Sequence, residues 1–453
     1  MSTQLELPVD DVLGDWRARL APPNVLAACR EQLRRADETE RRSWQHCEVA
    51  GVRYEPARCV RVAYVLLGDP QTPAHRRWPE GQIVYFRAPV REPLSRRGER
   101  LSLDGHEVES YCFPNDRRLR GIRKFAGKSA IIHKWQAWID SSGDDFRIDG
   151  DTVQRLLVRY VPEQKWIVRL RAEGIDRSGS CTKRRIAVRA ASASGCAALA
   201  RAHQTFAEFA RQAGNLFVVP AVVGCDTKQG LLGVEWIRGD SLVEALRSLP
   251  AQKTLERVAA ILHTLHSAQA SSLPVQTMED VNERVQQAVD DLSKARPDLR
   301  PRLASLAREF QALARTIHAA DPATLHNDFH WNQLQIKGNR YALLDLERIC
   351  CGDPLIDVAN FVTQLRLLGV RPELDVEPMT AEVWARTFLI AWERRTARPV
   401  VADRLRVYSV LSRLEFARGM MRHARSGWPI LAEHCVAGAE SDLGMPAGKV
   451  VTP

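Results

Sequence analysis

Nowhere does this chain hold the ~18 consecutive apolar residues that a membrane-crossing helix requires. The opening, MSTQLELPVDD, is acidic where an export signal would be basic, so a cytoplasmic location without membrane attachment is expected. Cysteines occur at 29, 47, 59, 112, 181, 196, 225, 350, 351 and 435 without one Cys-x-x-Cys pair, which argues against zinc-ribbon and dithiol redox chemistry. They read as reduced thiols, and the adjacent Cys350-Cys351 as small buried residues. Glycine-rich phosphate loops are missing in both familiar forms, Gly-x-Gly-x-x-Gly and the Walker type ending in Lys-Ser/Thr. That absence disfavours both the P-loop and the protein-kinase way of covering a nucleotide.

With 453 residues and 45% hydrophobic content, the chain exceeds one typical core and is globular, so two or three domains are expected. The formal net charge of +10 raises the question of nucleic acid. Its arginines are spread along the chain, with local clusters at Arg117-Arg118 and Lys183-Arg184-Arg185, and no aromatic-interleaved recognition pattern accompanies them. A moderately basic cleft for a small anion accounts for the charge equally well. No nucleic-acid partner is expected.

The most informative run is LHNDFHWNQLQIKGNRYALLDLE, residues 325 to 347. His326-x-Asp328-x-His330-x-x-Gln333 leads into an apolar strand, Leu334 to Lys337; Gly338-Asn339 supplies a two-residue turn and a second strand returns through Tyr341 to Leu344. This predicts a hairpin in which 337 pairs with 340 and 333 with 344, delivering Asp345 beside the end of the Asp328 loop. Phosphoryl transfer to a hydroxyl needs an acceptor for the proton and cations on the phosphates. Asp328 suits the first role and Asp345 the second. Magnesium prefers oxygen ligands, so a side-chain amide of the loop is a plausible further ligand: Gln333, or Asn332, which strict strand alternation would place on the face of Asp345.

The segment resembles the aminoglycoside phosphotransferase and choline kinase-like superfamily, whose catalytic loop reads His-Gly-Asp-x-His-x-x-Asn and whose metal strand ends Asp-Phe-Glu. Here the run is HNDFHWNQ and DLE, with Asn327 in the glycine position and Gln333 in that of the metal-binding asparagine. Glutamine there resembles the maltokinase-like members. Cys351-Gly352-Asp353-Pro354-Leu355-Ile356-Asp357-Val358-Ala359 is similar to the Gly-Asp-Pro-x-x-Asp-Leu-Ala segment of the same kinases. The resemblance implies an α+β, bilobal protein kinase-like fold, ATP and Mg2+ as cofactors, and a hydroxylated small molecule as acceptor. It implies Asp328, His326 and His330 as the catalytic group, Asp345 with Gln333 or Asn332 as metal ligands, and Asp357 as a buttress of the loop.

Upstream lies an internal repeat. Val52 to Val62, with Arg53-Tyr54-Glu55-Pro56, is echoed by Val158 to Leu170, with Arg159-Tyr160-Val161-Pro162. Both read as hairpins, each followed by a β-rich strand ending in a basic residue, Ile83 to Arg87 and Ile186 to Arg189. Arg-Tyr-x-Pro hairpins, and the segment Phe113 to Leu119, resemble features of bacterial members of the superfamily. The expected organisation is an N-terminal cap over residues 1–150, possibly a degenerate copy of the nucleotide lobe, then a β-rich nucleotide-binding lobe over 151–240 and a mostly helical catalytic lobe over 241–453.

Within the nucleotide lobe, kinases use a strand cation oriented by a helix glutamate. Arg189, with Glu208 of the following helix, is the expected pair, arginine standing where lysine is usual. The Pro162 to Trp166 turn is expected to hold phosphates, and Glu235, Trp236 and Ile237 resemble the hinge whose backbone meets the adenine. Helical periodicity is expected over Val25 to Arg42, Cys196 to Gln212, Leu255 to Ala268, Val281 to Ala295, Leu303 to Ala319, Leu355 to Leu368, Ala381 to Arg394 and Val401 to Ala424. His263 and His266 read as core or capping histidines, and Glu415, Arg418 and Arg422 as a solvated face. The competing reading is a catalytically silent kinase-like protein that binds a nucleotide or partner.

Overall fold

A computed structural model describes residues 5–69, 71, 82–90, 97–125, 127–268, 273–318, 320–397 and 400–445. The chain divides into two compact units, the first made of Met1–Arg201, Ala221–Trp236 and Met421–Ser426, the second of Ala202–Pro220, Ile237–Met420 and Gly427–Pro453.

The first unit opens with α1 (Pro22–Gln32) and α2 (Glu38–Ser43) in place of the single helix expected over Val25 to Arg42. The interruption has a local cause: the Asp37 side chain accepts from the Glu40 N–H and caps a new helix, while Leu33 is already extended. Strands β1 (His46–Glu55), β2 (Cys59–Leu67), β3 (Gln82–Ala88), β4 (Glu99–Leu103) and β5 (His106–Cys112) form an antiparallel sheet in the order β1-β2-β3-β5-β4. After α3 (Lys128–Ser141) and the short β6 (Arg147–Ile148) come β7 (Gln154–Val161), β8 (Lys165–Ile175), β9 (Cys181–Ala190), α4 (Ala193–Gln212), β10 (Val222–Asp226) and β11 (Leu231–Glu235). In this second sheet β7 pairs with β8, followed by β9, β11 and β10. Apart from the two-residue β6, which also pairs with β8, the two sheets share one strand order.

The correspondence reaches individual hydrogen bonds. Asp10 accepts from the N–H groups of Val12 and Leu13, and from the Tyr54 hydroxyl and the Ala57 N–H, both at 2.6 Å. Asp116 accepts from the N–H groups of Arg118 and Leu119 and the Tyr160 hydroxyl, each at 2.8 Å, and from Glu163 N–H at 3.0 Å. In both hairpins the residue after the proline, Ala57 or Glu163, takes a left-handed φ, and an upstream aspartate ties the turn down. The repeated Arg-Tyr-x-Pro signature thus encodes a tyrosine and a turn amide that share one carboxylate.

Apolar faces of both sheets share one core. Ile186, Val188 and Ala190 of β9 and Trp166, Val168 and Leu170 of β8 meet Tyr85, Tyr111, Phe125 and Trp135, and Tyr85 stacks on Tyr111 with ring centroids 4.8 Å apart. Helix α3, absent from the helical spans expected above, carries Trp135 and Trp138 into this core on a face of Ile131, Trp135, Trp138 and Ile139 at helical spacing.

The second unit is largely helical. Its described elements are β12 (Asp240–Ser241), α5 (Leu242–Ser248), α6 (Ala251–His266), α7 (Met278–Ala295), α8 (Arg300–Ala314), β13 (Ala323–Leu325), β14 (Leu334–Lys337), β15 (Arg340–Leu343), β16 (Cys350–Gly352), α9 (Leu355–Arg366), α10 (Pro378–Thr396), α11 (Ala402–Arg422) and α12 (Trp428–Asp442). The helical spans expected from periodicity correspond to these within a few residues at their ends; Ala319 lies outside the described residues. Strands β12, β14 and β15 form one small sheet and β13 pairs with β16. Among the described residues no helix is long and apolar enough to cross a membrane.

Candidate active site

The hairpin forms in the expected register: Lys337 pairs with Arg340 and Leu334 with Leu343, while Leu344 N–H donates to Gln333 O at 2.9 Å. Gly338 occupies the turn with φ +56°, a conformation that glycine reaches without steric cost. Strand alternation does not extend back through the loop, because Trp331–Gln333 is a single 3-10 turn. His330 caps it, Nδ1 accepting from Asn332 N–H at 3.2 Å. As a result Gln333 is buried against the loop and Asn332 is exposed. Gln333 Nε2 lies 3.3 Å from Asp328 Oδ2 and 3.1 Å from His330 Nε2.

Asp357 organises the loop from behind. Fully buried at the start of α9, its carboxylate accepts from His326 N–H and Asn327 N–H, each at 2.8 Å, with His266 Nε2 at 3.3 Å. The His326 ring is buried and reaches Leu344 O at 2.8 Å, tying the loop to the strand that ends at Asp345. Asn327 has φ +58°, which explains a residue tolerant of the left-handed region where related loops carry glycine. Its side-chain oxygen accepts from Arg284 at 2.9 Å. Asp345 is itself left-handed, at φ +54°.

His330 feels both acidic residues. Burial pushes its imidazole below the usual histidine range, while the charges of Asp328 and Asp345 pull it back. The ring is therefore neutral near pH 7, and with Nδ1 accepting, its proton sits on Nε2. That proton faces the Gln333 amide nitrogen, donor against donor. Turning the amide over would give His330 an acceptor and leave the Gln333 oxygen on the inner side of the loop. The Asp345 carboxylate and the Gln333 carboxamide are the kind of hard-oxygen groups that could hold magnesium, which keeps waters among its other ligands. Among the described residues no group of three or more His, Cys, Asp or Glu could hold a metal on its own.

In front of Asp328 lies a cavity of about 100 Å³ lined by Arg284, Asn327, Arg348, Asn360, Gln364 and Glu415, among others. Glu415 and Arg418 of α11 are not a solvated face: Glu415 Oε1 accepts from Arg284 Nε at 3.0 Å and from Arg348 at 3.3 Å, and Arg418 pairs with Asp291 of α7 at 2.6 Å. Burial pushes the Glu415 carboxyl up, and the two arginines more than cancel this, leaving it below the usual range. Its stabilising contribution is therefore complete above the unfolded-state pKa and lost as pH falls through the lower folded value. Glu415→Gln is expected to flatten the acid limb of the stability curve, read by denaturant unfolding between about pH 7 and pH 3. An unchanged acid limb would contradict this.

His266, Arg284, Arg348 and Asn360 were not singled out as site residues by sequence reasoning. Asn360 donates to Phe329 O at 3.0 Å and accepts from Ser412 at 2.8 Å, fixing the loop's far side. The only signal for any of them was the His263/His266 spacing, which reads first as core or capping. Their roles depend on contacts between residues far apart in sequence.

A profile of the phosphotransferase enzyme family matches residues 141–402, more than half of the chain. The chain belongs to that family. No curated protein matches it. Among solved structures it is similar to a thermostable mutant of the aminoglycoside phosphotransferase APH(4)-Ia in its apo form, with 19% identity, 69% of this chain and 98% of the other covered, and a TM-score of 0.47. It is also similar to the streptomycin-ATP-APH(2")-IIa ternary complex, at 14% identity, 65% and 95% coverage and TM-score 0.42. A choline/ethanolamine kinase family protein from Mesorhizobium loti matches at 15% identity, 61% and 85% coverage and TM-score 0.39. Helix and sheet combine in this chain in an α+β architecture, as expected.

In this phosphotransferase-family chain the remaining expected residues are distributed as follows. Arg189 stands on β9 between Ile167 and Leu232, on the sheet face opposite Val188 and the aromatic core. Glu208 lies on α4, where it pairs with Arg211 and accepts from Gln212 at 2.9 Å. At the hinge, Glu235 N–H donates to Ala221 O at 2.8 Å and Trp236 N–H to Arg185 O at 3.1 Å, so a base would have to use carbonyls there or the backbone from Ile237 onward. The Pro162 to Trp166 turn departs from expectation. Glu163 is 5% exposed, its N–H is spent on Asp116, and its carboxylate faces Arg61 at 3.3 Å, Arg118 at 3.6 Å and Arg87 at 3.9 Å. A turn whose amide and side chain are bound inside its own unit is a poor phosphate cradle.

Proposed function

We propose that this chain is a Mg-ATP-dependent O-phosphotransferase acting on a hydroxyl of a small molecule. Asp328 accepts the hydroxyl proton, with Gln333 and the neutral His330 beside it. His326 and Asp357 hold the loop in place. Asp345, with Gln333 as the amide ligand in preference to the exposed Asn332, binds magnesium, which would screen the nucleotide phosphates. Arg189 meets those phosphates, Glu208, exposed on α4 and now paired with Arg211, is the helix carboxylate assigned to orient it, and Glu235, Trp236 and Ile237 border the base. The observation that carries this reading is the shared environment of Asp328, Gln333, His330 and Asp345, reached from two sides of one hairpin.

The cavity beside Asp328 narrows the acceptor. Its second carboxylate, Glu415, is already neutralised by Arg284 and Arg348. A polycationic acceptor would find two arginines and no unspent carboxylate there apart from the base itself, among the described residues. An uncharged or anionic polyol such as a sugar is therefore favoured over an aminoglycoside or amino alcohol.

The competing reading, a silent module that binds nucleotide or partner, gains support from the buried Glu163 turn and from arginine at 189. One experiment separates the two. Magnesium-dependent stabilisation by ATP, roughly 2.7 kcal/mol at a hundredfold excess over Kd, is expected in the parent and not in Asp345→Ala. ATP consumption is expected with sugars and absent with choline and aminoglycosides. Stabilisation without turnover on any hydroxylated acceptor would favour the silent module, and stabilisation that survives Asp345→Ala would remove the metal assignment.

A further inference from the structure

The chain has no Cys-x-x-Cys pair, yet folding assembles a dithiol from two cysteines 29 positions apart, both in the first unit. Cys196 stands in the first turn of α4, whose start is set by Ser192: its Oγ accepts from Gly195 N–H at 3.1 Å and its carbonyl from Cys196 N–H at 2.9 Å. Cys225 stands on β10, in register with Leu232 of β11. The two residues beside it are anchored on α3. A Cβ on Gly224 would fall 2.1 Å from Trp138 Cγ, and the Asp226 carboxylate pairs with Lys134. Cys225 is thereby presented towards α4, and its sulfur lies 3.3 Å from that of Cys196.

The two thiols are unequal in a way that suits oxidation. Cys225 is exposed, whereas Cys196 is 1% exposed. Burial, together with the contact from Cys225, pushes the Cys196 thiol up to about 12, so it stays protonated near pH 7. An outer thiol open to a dissolved oxidant thus has an inner S–H already against it. Closing the contact to the ~2.05 Å of a disulfide needs an approach of about 1.2 Å. Ser194 and Gly195, next to Cys196, are exposed, which leaves the first turn of α4 room to make it.

We infer that Cys196 and Cys225 form a redox modification site, which a hydroperoxide converts to a disulfide that staples the first turn of α4 to β10. The exposed Cys225 sulfur attacks the peroxide; the O–O bond breaks, a sulfenic acid forms and the first water leaves. Cys196 sulfur then displaces the hydroxyl from that sulfenic sulfur, the S–S bond forms, and the thiol proton leaves with the hydroxyl as the second water. Two electrons pass from the thiols to the peroxide oxygens. The staple falls close to Arg189: Leu232 pairs with Cys225 on one side and with Arg189 on the other, and the arginine's charge reaches Cys196. Oxidation is therefore expected to change the nucleotide contact, a consequence that, unlike the dithiol, rests on the role proposed for Arg189 above.

The test uses the full chain, reduced and then treated with a small molar excess of hydrogen peroxide. Thiols titrated in denaturant are expected to fall by two from the ten of the sequence, and peptide mapping to join Cys196 to Cys225, with dithiothreitol reversing both. Cys225→Ser, at an exposed position, is expected to abolish the crosslink at unchanged melting temperature. Cys181→Ser, at the other exposed cysteine, is expected to change nothing. Cys196→Ser should leave on Cys225 a sulfenic acid that dimedone captures. The Kd for Mg-ATP is expected to shift about threefold or more on oxidation, and to stay put in Cys225→Ser. A crosslink between other cysteines, or thiol loss that dithiothreitol does not reverse, would overturn the site. A mapped crosslink with unaltered nucleotide affinity would overturn its link to Arg189. Absence of Mg-ATP binding by the reduced parent would sink the phosphotransfer reading, and the mapping alone would then decide the dithiol.

Discussion

Asp328→Ala is expected to lower phosphoryl transfer by roughly 10²–10⁴-fold, the range of a positioned general base, while the protein melts as before. The loss should fall on kcat, with nucleotide-dependent stabilisation retained, because Asp328 accepts the acceptor's proton and is not proposed to hold the metal. Little structural damage is expected: among the described residues the one hydrogen bond to its carboxylate is the long one from Gln333 at 3.3 Å, and the residue is half-buried. Asp328→Asn keeps the volume and a hydrogen-bonding group but cannot accept the proton, and should fall as far. Turnover within a few-fold of the parent in either variant would remove Asp328 from the chemistry. A large drop in melting temperature would make it a structural residue.

Asp357→Ala is expected to be the most damaging substitution to the fold. It strips the acceptor from two buried N–H groups, His326 and Asn327, and from the neighbouring His266. Each buried donor left unpaired costs about 1–3 kcal/mol, so a loss of about 3–5 kcal/mol is expected from denaturant unfolding. Asp357→Asn retains one acceptor oxygen and should recover part of it. Because the two N–H groups immediately precede Asp328, the asparagine variant should also lose kcat with nucleotide binding largely intact, the mark of a positioning residue. A stability change below about 1 kcal/mol, within the range of ordinary surface substitutions, would show that the loop holds its shape without this brace.

The hairpin around Gly338 was legible because everything that sets it is local: two apolar strands, a turn dipeptide with one position that wants positive φ, and side-chain alternation. The same holds for the internal repeat, whose Arg-Tyr-x-Pro signature records a tyrosine and a turn amide held by one aspartate. What the repeat meant for packing was not legible. The turn that resembled a phosphate cradle is closed off by Asp116 from the connector and by Arg61 and Arg87 from the first sheet, residues about 50 to 100 positions upstream. Nothing in Pro162 to Trp166 itself announces that.

Choosing between Gln333 and Asn332 shows the same boundary at the scale of one residue. Alternation favours Asn332; the 3-10 turn, capped by His330, reverses the facing and buries Gln333 beside Asp328. Glu415 and Arg418 look on paper like a solvated helix face, and in the folded chain they bind Arg284, Arg348 and Asp291. Residue types, their order and short-range geometry were determined by the amino-acid sequence alone, since backbone preference and turn chemistry act over a few residues. Which charges were spent, which turn was closed and which amide faced the base were decided only by tertiary structure, because burial and ion pairing join groups that chain order keeps far apart.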